Sequence, residues 1–281
     1  MQPTTAMRRR TSRVAGYQKW RDLLFLHWRA PADDVQRLLP PGLTVETFDG
    51  WAWVGLVAFD MRGVRPWWFP AVPGVSAFHE TNVRTYVTRE GGDPGVWFFS
   101  LDAANSLAVR VARRRWHLNY FRSELRIARN VTDVAQDGPA AADPSRAAAG
   151  VGAEAGSFRH GSDRIAYSGR RLWPGVAGAA YQIEAEFSAG RPQPAVAGTF
   201  EEFLVERYVM YAEKRDGGLL RGEVRHVPYP LRPASVTACK QSLLAAAGID
   251  VDGPPDHAVF SPGVDVTIGA LEPVREMRDE G

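Results

Sequence analysis

Residues 80–88 constrain the fold more than any other segment, because polar and apolar side chains alternate along them. A β-strand directs successive side chains to opposite faces, so Glu80, Asn82 and Arg84 share one face and small or apolar residues share the other. If the polar face is buried, its carboxylate and guanidinium must each meet an opposite charge, hydrogen-bond donors or a ligand. Two interpretations follow: a structural Glu–Arg ion pair that locks the sheet, or an internal polar site.

The neighbouring segments predict an antiparallel sheet around this strand. Residues 51–59 are apolar on both alternating faces, which is typical of a central strand covered on both sides. Residues 90–95 hold three glycines and a proline, so they predict a turn that returns residues 96–101 antiparallel to residues 80–88. Alternation predicts further strands at residues 121–127, 181–187 and 219–227.

A helix is predicted directly after the returning strand. Asp102 is placed to cap it, and it covers residues 103–114. Arg113 lies on its surface, away from the apolar side. The side predicted to face inward consists of Ala104, Leu107, Ala108 and Val111.

Two more helices are predicted in the second half of the chain. Thr199 and Glu202 form a capping box, and apolar residues follow at helical spacing as far as Tyr211. Residues 235–247 predict a last helix, which ends at Gly248.

Two loops stand out by composition. Residues 66–74 combine aromatic side chains with prolines, which indicates either ordinary packing or aromatic residues exposed beside a cavity mouth. Residues 133–156 are mostly Ala, Gly, Asp and Pro, which is typical of a solvated loop rather than a domain boundary.

Charge and cysteine content exclude several classes of protein. The 34 Lys and Arg against 32 Asp and Glu leave a net charge of +2, so neither nucleic acid nor an anionic membrane is expected as a partner. The single cysteine, Cys239, cannot form an intramolecular disulfide and fits a reducing compartment. Residues 1–13 lack the apolar segment of a secretory signal, so we expect a cytoplasmic protein.

The common catalytic signatures are missing. The nearest approach to the serine-hydrolase turn, around Ser76, lacks the second glycine of that motif. The six histidines show no metal-binding spacing, although His79 is adjacent to Glu80. We therefore expect neither a metal nor a cofactor.

Seven short blocks along the chain carry a family resemblance: Asp22-Leu-Leu-Phe-Leu-His-Trp28, Leu39-Pro-Pro-Gly-Leu43, Phe48-Asp-Gly50, Phe78-His-Glu-Thr-Asn-Val-Arg-Thr-Tyr-Val87, Gly95-Val-Trp-Phe-Phe-Ser-Leu-Asp102, Glu206-Arg-Tyr208 and Ser261-Pro-Gly-Val-Asp265. Together they resemble the DUF2071 family, also called YqjF-like, and more distantly acetoacetate decarboxylase. The resemblance implies an α+β fold, in which an antiparallel β-barrel or sheet encloses a cavity and a few helices pack outside. It implies one domain over residues 17–270, with a flexible basic tail at residues 1–16 and a second tail at residues 271–281.

The resemblance to acetoacetate decarboxylase fails at the lysine that forms the Schiff base in that family. Tyr120 and Phe121 stand near the positions of its two lysines, and a phenol or phenyl ring cannot supply an amine nucleophile. The family's glutamate on a barrel strand corresponds to Glu80. The chain's own lysines, Lys19, Lys214 and Lys240, lie far away in sequence.

Three functional hypotheses remain open. The first is an enzyme, a lyase or isomerase without a lysine nucleophile, that acts on a small oxo- or hydroxy-carboxylate. Glu80 and Tyr120 are its catalytic candidates, and the substrate-binding candidates are Arg84, Asn82, His79 and Arg113. The second is a barrel that binds a small molecule without turnover. The third is a structural protein with a vestigial cavity. The sequence leaves the oligomeric state open, a homo-oligomer included.

Overall fold

The computed structural model describes residues 12–89, 92–129, 162–175, 178–188 and 190–274. The loop predicted at residues 133–156 and two residues of the predicted turn, 90–91, lie outside these ranges. The helices are α1 (Ala32–Gln36), α2 (Ser106–Arg115), α3 (Phe200–Val205) and α4 (Leu243–Ala246). The strands are β1 (Val14–Ala30), β2 (Thr44–Val45), β3 (Thr47–Phe48), β4 (Trp51–Pro66), β5 (Phe78–Thr88), β6 (Gly95–Ala103), β7 (Tyr120–Arg129), β8 (Ser162–Trp173), β9 (Ala180–Ser188), β10 (Val209–Glu213), β11 (Leu219–Arg225), β12 (Arg232–Gln241), β13 (His257–Gly269) and β14 (Glu272–Pro273).

The strands form one sheet that closes on itself. Within the described chain, seven strands make a ring in which each pairs with the next, in the order β13, β1, β4, β5, β6, β10 and β11. Every pair in this ring is antiparallel except β6 with β10, which run parallel. From β6, strands β7, β8, β9 and β12 continue the sheet back to β13. A strand-rich, closed sheet with short helices confirms the predicted fold class.

β1 and β4 are covered on both faces, which explains why both are so apolar. On one face, Leu24 and Leu56 pack in a core that includes Ile183 of β9. On the other face, Phe25 and Val57 belong to a second core, inside the ring. The prediction of a central strand at residues 51–59 is therefore confirmed.

The hairpin of β5 and β6 is also confirmed, with pairs running from Glu80 and Ala103 to Val87 and Gly95. The tail boundaries differ slightly from those predicted. β1 begins at Val14, within residues 1–16, and β14 lies within residues 271–281 and pairs with β11.

The predicted cap and inward side of α2 are wrong. Asn105, not Asp102, caps the helix, because its side chain accepts hydrogen bonds from the backbone N–H groups of Leu107 and Ala108. α2 carries two apolar stripes, and the buried one contains Val109 and Ala112. The stripe expected to face inward leaves Leu107 and Val111 exposed instead.

Two other helix predictions are only partly right. Thr199 does cap α3, but the helix ends at Val205, because residues from Val209 onward pair with β6 and β11. Most of residues 235–247 form β12, which pairs with β9, and only α4 is helical. Gly248 follows α4 with a φ of +81°, a conformation that favours glycine.

Candidate active site

The polar face of β5 points into a cavity inside the seven-strand ring. Glu80, Asn82 and Arg84 are only 4%, 5% and 7% exposed, and all three line this inner cavity. Its volume is about 60 Å³. That volume holds roughly four water molecules, or a ligand of a few non-hydrogen atoms.

Glu80 and Tyr120 form a hydrogen-bonded pair at one end of the inner cavity. The Tyr120 hydroxyl, at the start of β7, donates to Oε2 of Glu80 at 2.9 Å. Burial raises the pKa of Glu80 to about 8, against the opposing effect of this hydrogen bond, and the charge of Asp102 raises it further. Burial, with the charge of Glu80, also holds the pKa of Tyr120 well above its usual value. At neutral pH the carboxyl of Glu80 is therefore mostly protonated and can donate a proton.

Arg84 is a buried cation without an anionic partner in the described parts of the chain. Its Nη2 donates to the carbonyl oxygen of Leu204 at 3.0 Å and lies 3.5 Å from the Tyr86 hydroxyl. Its guanidinium carbon lies 5.4 Å from the centroid of the Phe25 ring. Neither its Nε nor the Oδ1 of Asn82 has a hydrogen-bond partner among the described residues. A buried donor and a buried acceptor are thus left for a ligand.

The structural ion pair between Glu80 and Arg84 does not form. Four residues along a strand span roughly 13 Å between Cα atoms, and Glu80 is turned toward Tyr120 instead. An arginine in contact would lower the pKa of Glu80, whereas the structure raises it.

Asp102 belongs to a buried ion pair behind the site. Its two carboxylate oxygens accept hydrogen bonds from Nε and Nη2 of Arg171, at 2.9 and 2.7 Å, and Ser123 donates to it at 2.7 Å. This pair joins β6 to β8 across β7, and it places a negative charge near Glu80. Sequence reasoning missed it, because Arg171 lies far from Asp102 in the chain.

Two predicted substrate-binding residues lie outside the inner cavity. His79 is on the opposite face of β5 from Glu80, and its Nδ1 is 2.9 Å from Oδ1 of Asp60. Arg113 lies on α2 and donates from Nη1 to the backbone carbonyl of Tyr120 at 2.7 Å, so it contacts the site only through the main chain.

The remaining walls of the inner cavity are mainly apolar and aromatic. Leu23 and Phe25 on β1, and Val57 and Phe59 on β4, follow the two-residue period of a strand, whereas other wall residues come from distant elements and no local spacing connects them, among them Trp116, Met210, Tyr229 and Ile268. All three lysines of the chain lie in the described ranges, and none lines this cavity.

The described residues contain neither a cluster of metal ligands nor a membrane-spanning helix. No three His, Cys, Asp or Glu side chains among them are grouped so that they could hold a metal ion. None of the helices described is long and apolar enough to cross a membrane.

The closed, strand-rich sheet is shared with proteins of the acetoacetate decarboxylase-like fold. An acetoacetate decarboxylase-like enzyme from Sphingomonas wittichii RW1 superposes with a TM-score of 0.55 at 14% identity, over 94% of each chain. The enduracididine biosynthesis enzyme MppR, in complex with pyruvate, superposes with a TM-score of 0.52 at 15% identity, over 96% of this chain and 93% of MppR. Acetoacetate decarboxylase from Legionella pneumophila gives 0.52 at 12% identity, over 98% and 93%.

The chain belongs to the DUF2071 family of uncharacterised conserved proteins, whose model matches residues 17–265. It is 31% identical over 235 residues to the uncharacterised protein YqjF of Bacillus subtilis strain 168, covering 83% of this chain and 81% of YqjF. The predicted family is therefore confirmed, and the fold is that of acetoacetate decarboxylase.

Proposed function

We propose that this protein is an enzyme that moves a proton on a small oxo- or hydroxy-carboxylate held in the inner cavity, as a lyase or isomerase without a lysine nucleophile. The observation that carries the proposal is Arg84, a buried guanidinium with no ion pair among the described residues. An uncompensated buried charge is costly, and a carboxylate ligand would pair with the planar guanidinium through charge-assisted hydrogen bonds.

Glu80 supplies the acid–base group. A pKa of about 8 lies close to neutral pH, where both protonation states of a catalytic group are accessible. With the substrate carboxylate at Arg84, Glu80 exchanges a proton with a carbon next to the oxo or hydroxy group. In this step the Tyr120 hydroxyl gives up its hydrogen bond to Glu80 and donates its single proton to the oxygen on which negative charge develops.

One structural neighbour supports the proposed class of ligand, not the mechanism. MppR, which shares the fold, is complexed with pyruvate, an oxo-carboxylate. The walls of the inner cavity here hold no lysine, so an imine mechanism has no nucleophile.

The absence of a lysine gives a direct prediction about covalent chemistry. Treatment with acetoacetate and borohydride should leave the mass of the intact protein unchanged, because Lys19, Lys214 and Lys240 all lie outside the inner cavity. Intact-protein mass spectrometry measures this. A stable adduct at any of the three lysines would contradict the mechanism.

Proton transfer can be measured as deuterium exchange at C3 of 2-oxobutyrate in D₂O, followed by NMR. The ionised fraction of Glu80 accepts the proton from C3, exchanges it with D₂O, and returns a deuteron to the carbon. We expect Glu80→Gln to slow this exchange by about 100-fold or more while it still binds the acid, since general acid–base catalysis contributes roughly that much. Arg84→Met should weaken binding at least tenfold. Glu124→Gln, at an exposed carboxylate on β7, is the matched control.

The alternative is a barrel that binds a small carboxylate without turnover, which the small and mainly apolar cavity also favours. The same experiment separates the two functions. Binding that depends on Arg84, without exchange above the uncatalysed rate, identifies a binding protein. Equal exchange by wild type and Glu80→Gln excludes the proposed role of Glu80.

A further inference from the structure

A second and larger space lies directly outside the inner cavity. This outer groove has a volume of about 490 Å³ and runs between β1, the end of β4, the loop that follows β4, and α2. Its walls are mainly apolar, with Met61, Val64, Trp68, Phe78, Val111 and Trp116 among them. Gln18, Trp116 and Tyr120 line both the outer groove and the inner cavity, so the two spaces are neighbours that these side chains separate.

The positions of Tyr120 and Arg84 orient a ligand that occupies both spaces. Tyr120, which holds Glu80, lines both spaces, whereas Arg84 lines only the inner cavity. This step rests on the proposed function. If the substrate carboxylate binds Arg84 and the reacting carbon lies at Glu80, the rest of the substrate extends past Tyr120 toward the outer groove.

We infer that the substrate carries an apolar tail of several carbon atoms, and that this tail lies in the outer groove. The inner cavity alone is smaller than the pockets that bury drug-sized ligands, which measure roughly 300–1,000 Å³, whereas the outer groove falls within that range. The substrate class is therefore a medium-chain or aryl-substituted oxo- or hydroxy-carboxylate rather than the smallest oxo-acids.

The outer groove is held open by hydrogen bonds on both sides of its loop. The backbone N–H of Trp67 donates to the carbonyl oxygen of Ala15 on β1 at 3.1 Å. Nδ2 of Asn105, the cap of α2, donates to the carbonyl oxygen of Val75 at 2.8 Å. Because these bonds already fix the loop, little conformational entropy is lost when a ligand binds in the groove.

The exposed apolar side chains at the groove point to the same occupant. Trp68 is 66% exposed and Val111 is 49% exposed, and both line the outer groove. Single exposed apolar residues are ordinary, but two that line the same apolar groove indicate a binding surface. Since this groove adjoins a cavity that holds a cation without an ion pair among the described residues, a carboxylate with an apolar tail matches the two spaces together.

Calorimetric titration with pyruvate and with 2-oxooctanoate tests the inference through the ratio of their dissociation constants. Each methylene buried in the groove should tighten binding roughly fourfold, so wild type should bind 2-oxooctanoate at least tenfold more tightly than pyruvate. Trp68→Ala and Val111→Glu should bring the ratio close to one.

Two matched controls lie beside these positions. Trp67 and Leu107 are 58% and 57% exposed and do not line the groove, so Trp67→Ala and Leu107→Glu should keep the wild-type ratio. Equal affinity of wild type for the two acids would overturn the inference. It would also be overturned if Trp67→Ala and Trp68→Ala reduced the preference for 2-oxooctanoate by the same factor. The inference would also be overturned if wild type forms a dimer that Val111→Glu dissociates but 2-oxooctanoate leaves intact. In that case the groove is a surface for self-association.

Failure of the proposed function gives a different result. If Arg84→Met weakens the binding of neither acid, the carboxylate does not bind at Arg84 and the proposed function is wrong. The preference for 2-oxooctanoate, and its dependence on Trp68 and Val111, then still decides whether the groove holds the tail.

Discussion

Among the described residues that line the inner cavity, Glu80 and Arg84 are an acid and a base that are both buried without an oppositely charged partner. Glu80 is a carboxyl group with its pKa raised to about 8 by burial and by Asp102. Arg84 is a buried cation whose contacts in the described chain are a carbonyl oxygen, a hydroxyl and aromatic rings. Such groups reduce the stability of the folded protein, which is common at sites arranged for binding or catalysis.

The raised pKa of Glu80 predicts how stability depends on pH. The folded protein keeps a proton on Glu80 up to about pH 8, while the unfolded chain releases it near 4.5. The contribution of this group is therefore fully present below pH 4.5 and is lost as pH rises through about 8. Relative to Glu80→Gln, wild type should lose stability on the order of a few kcal/mol across this window.

Urea denaturation of both proteins between pH 4.5 and 9 measures this difference. Gln at position 80 stays neutral and can still accept from Tyr120. Glu124→Gln, at the surface, should follow the wild-type curve. A difference between wild type and Glu80→Gln that does not change with pH would contradict the raised pKa.

At the scale of elements, the buried pair of Asp102 and Arg171 fixes the strands behind the site. It connects β6 to β8, and Ser123 of the intervening β7 also bonds to it. Removing one partner of a buried ion pair leaves an uncompensated charge, which costs more than losing both.

Removing one partner of this ion pair should therefore cost more stability than replacing both partners. Asp102→Asn should reduce the free energy of unfolding by about 3–5 kcal/mol, because Arg171 stays buried without its anion. The double variant Asp102→Leu with Arg171→Met should be more stable than Asp102→Asn. Urea denaturation checks the order of the three proteins. A double variant less stable than Asp102→Asn would show that the pair itself contributes net stability.

The polar face of β5 could be predicted from sequence because a strand has a fixed period of two residues. The helix predicted over residues 235–247 is wrong for residues 235–241, because their pairing with β9 decides the structure. For α2, two apolar stripes were compatible with the sequence, and only packing against the sheet distinguishes Val109 from Val111. Trp116 and Tyr229 reach the inner cavity from distant elements, so local patterns could not identify them.

At the scale of the whole molecule, the first and last long strands close the sheet. β13 pairs with β1 along most of its length, from Val14 and Gly269 to His27 and His257. β13 also pairs with β11 and β12. Three parts of the sheet thus depend on residues near the end of the chain.

Truncation should reveal this dependence. A chain ending at residue 256 lacks β13 and should lose cooperative unfolding, because both the ring and the route through β12 are opened. A chain ending at residue 274 keeps every strand that the structure describes and should unfold as wild type does. Circular dichroism and tryptophan fluorescence during urea denaturation measure both. Cooperative unfolding of the shorter chain would show that the ring is stable without its closing strand.

The pairing of β1 with β13 also has a consequence for biosynthesis. During synthesis, more than two hundred residues separate β1 from β13, so one of the two partners of β1 is absent until that whole stretch has been made. Contacts so distant in sequence form slowly, and apolar strands with an unpaired edge are prone to aggregate in the meantime. Nascent chains stalled before residue 257 should therefore be held by chaperones, and synthesis of β13 is the event that allows the sheet to close.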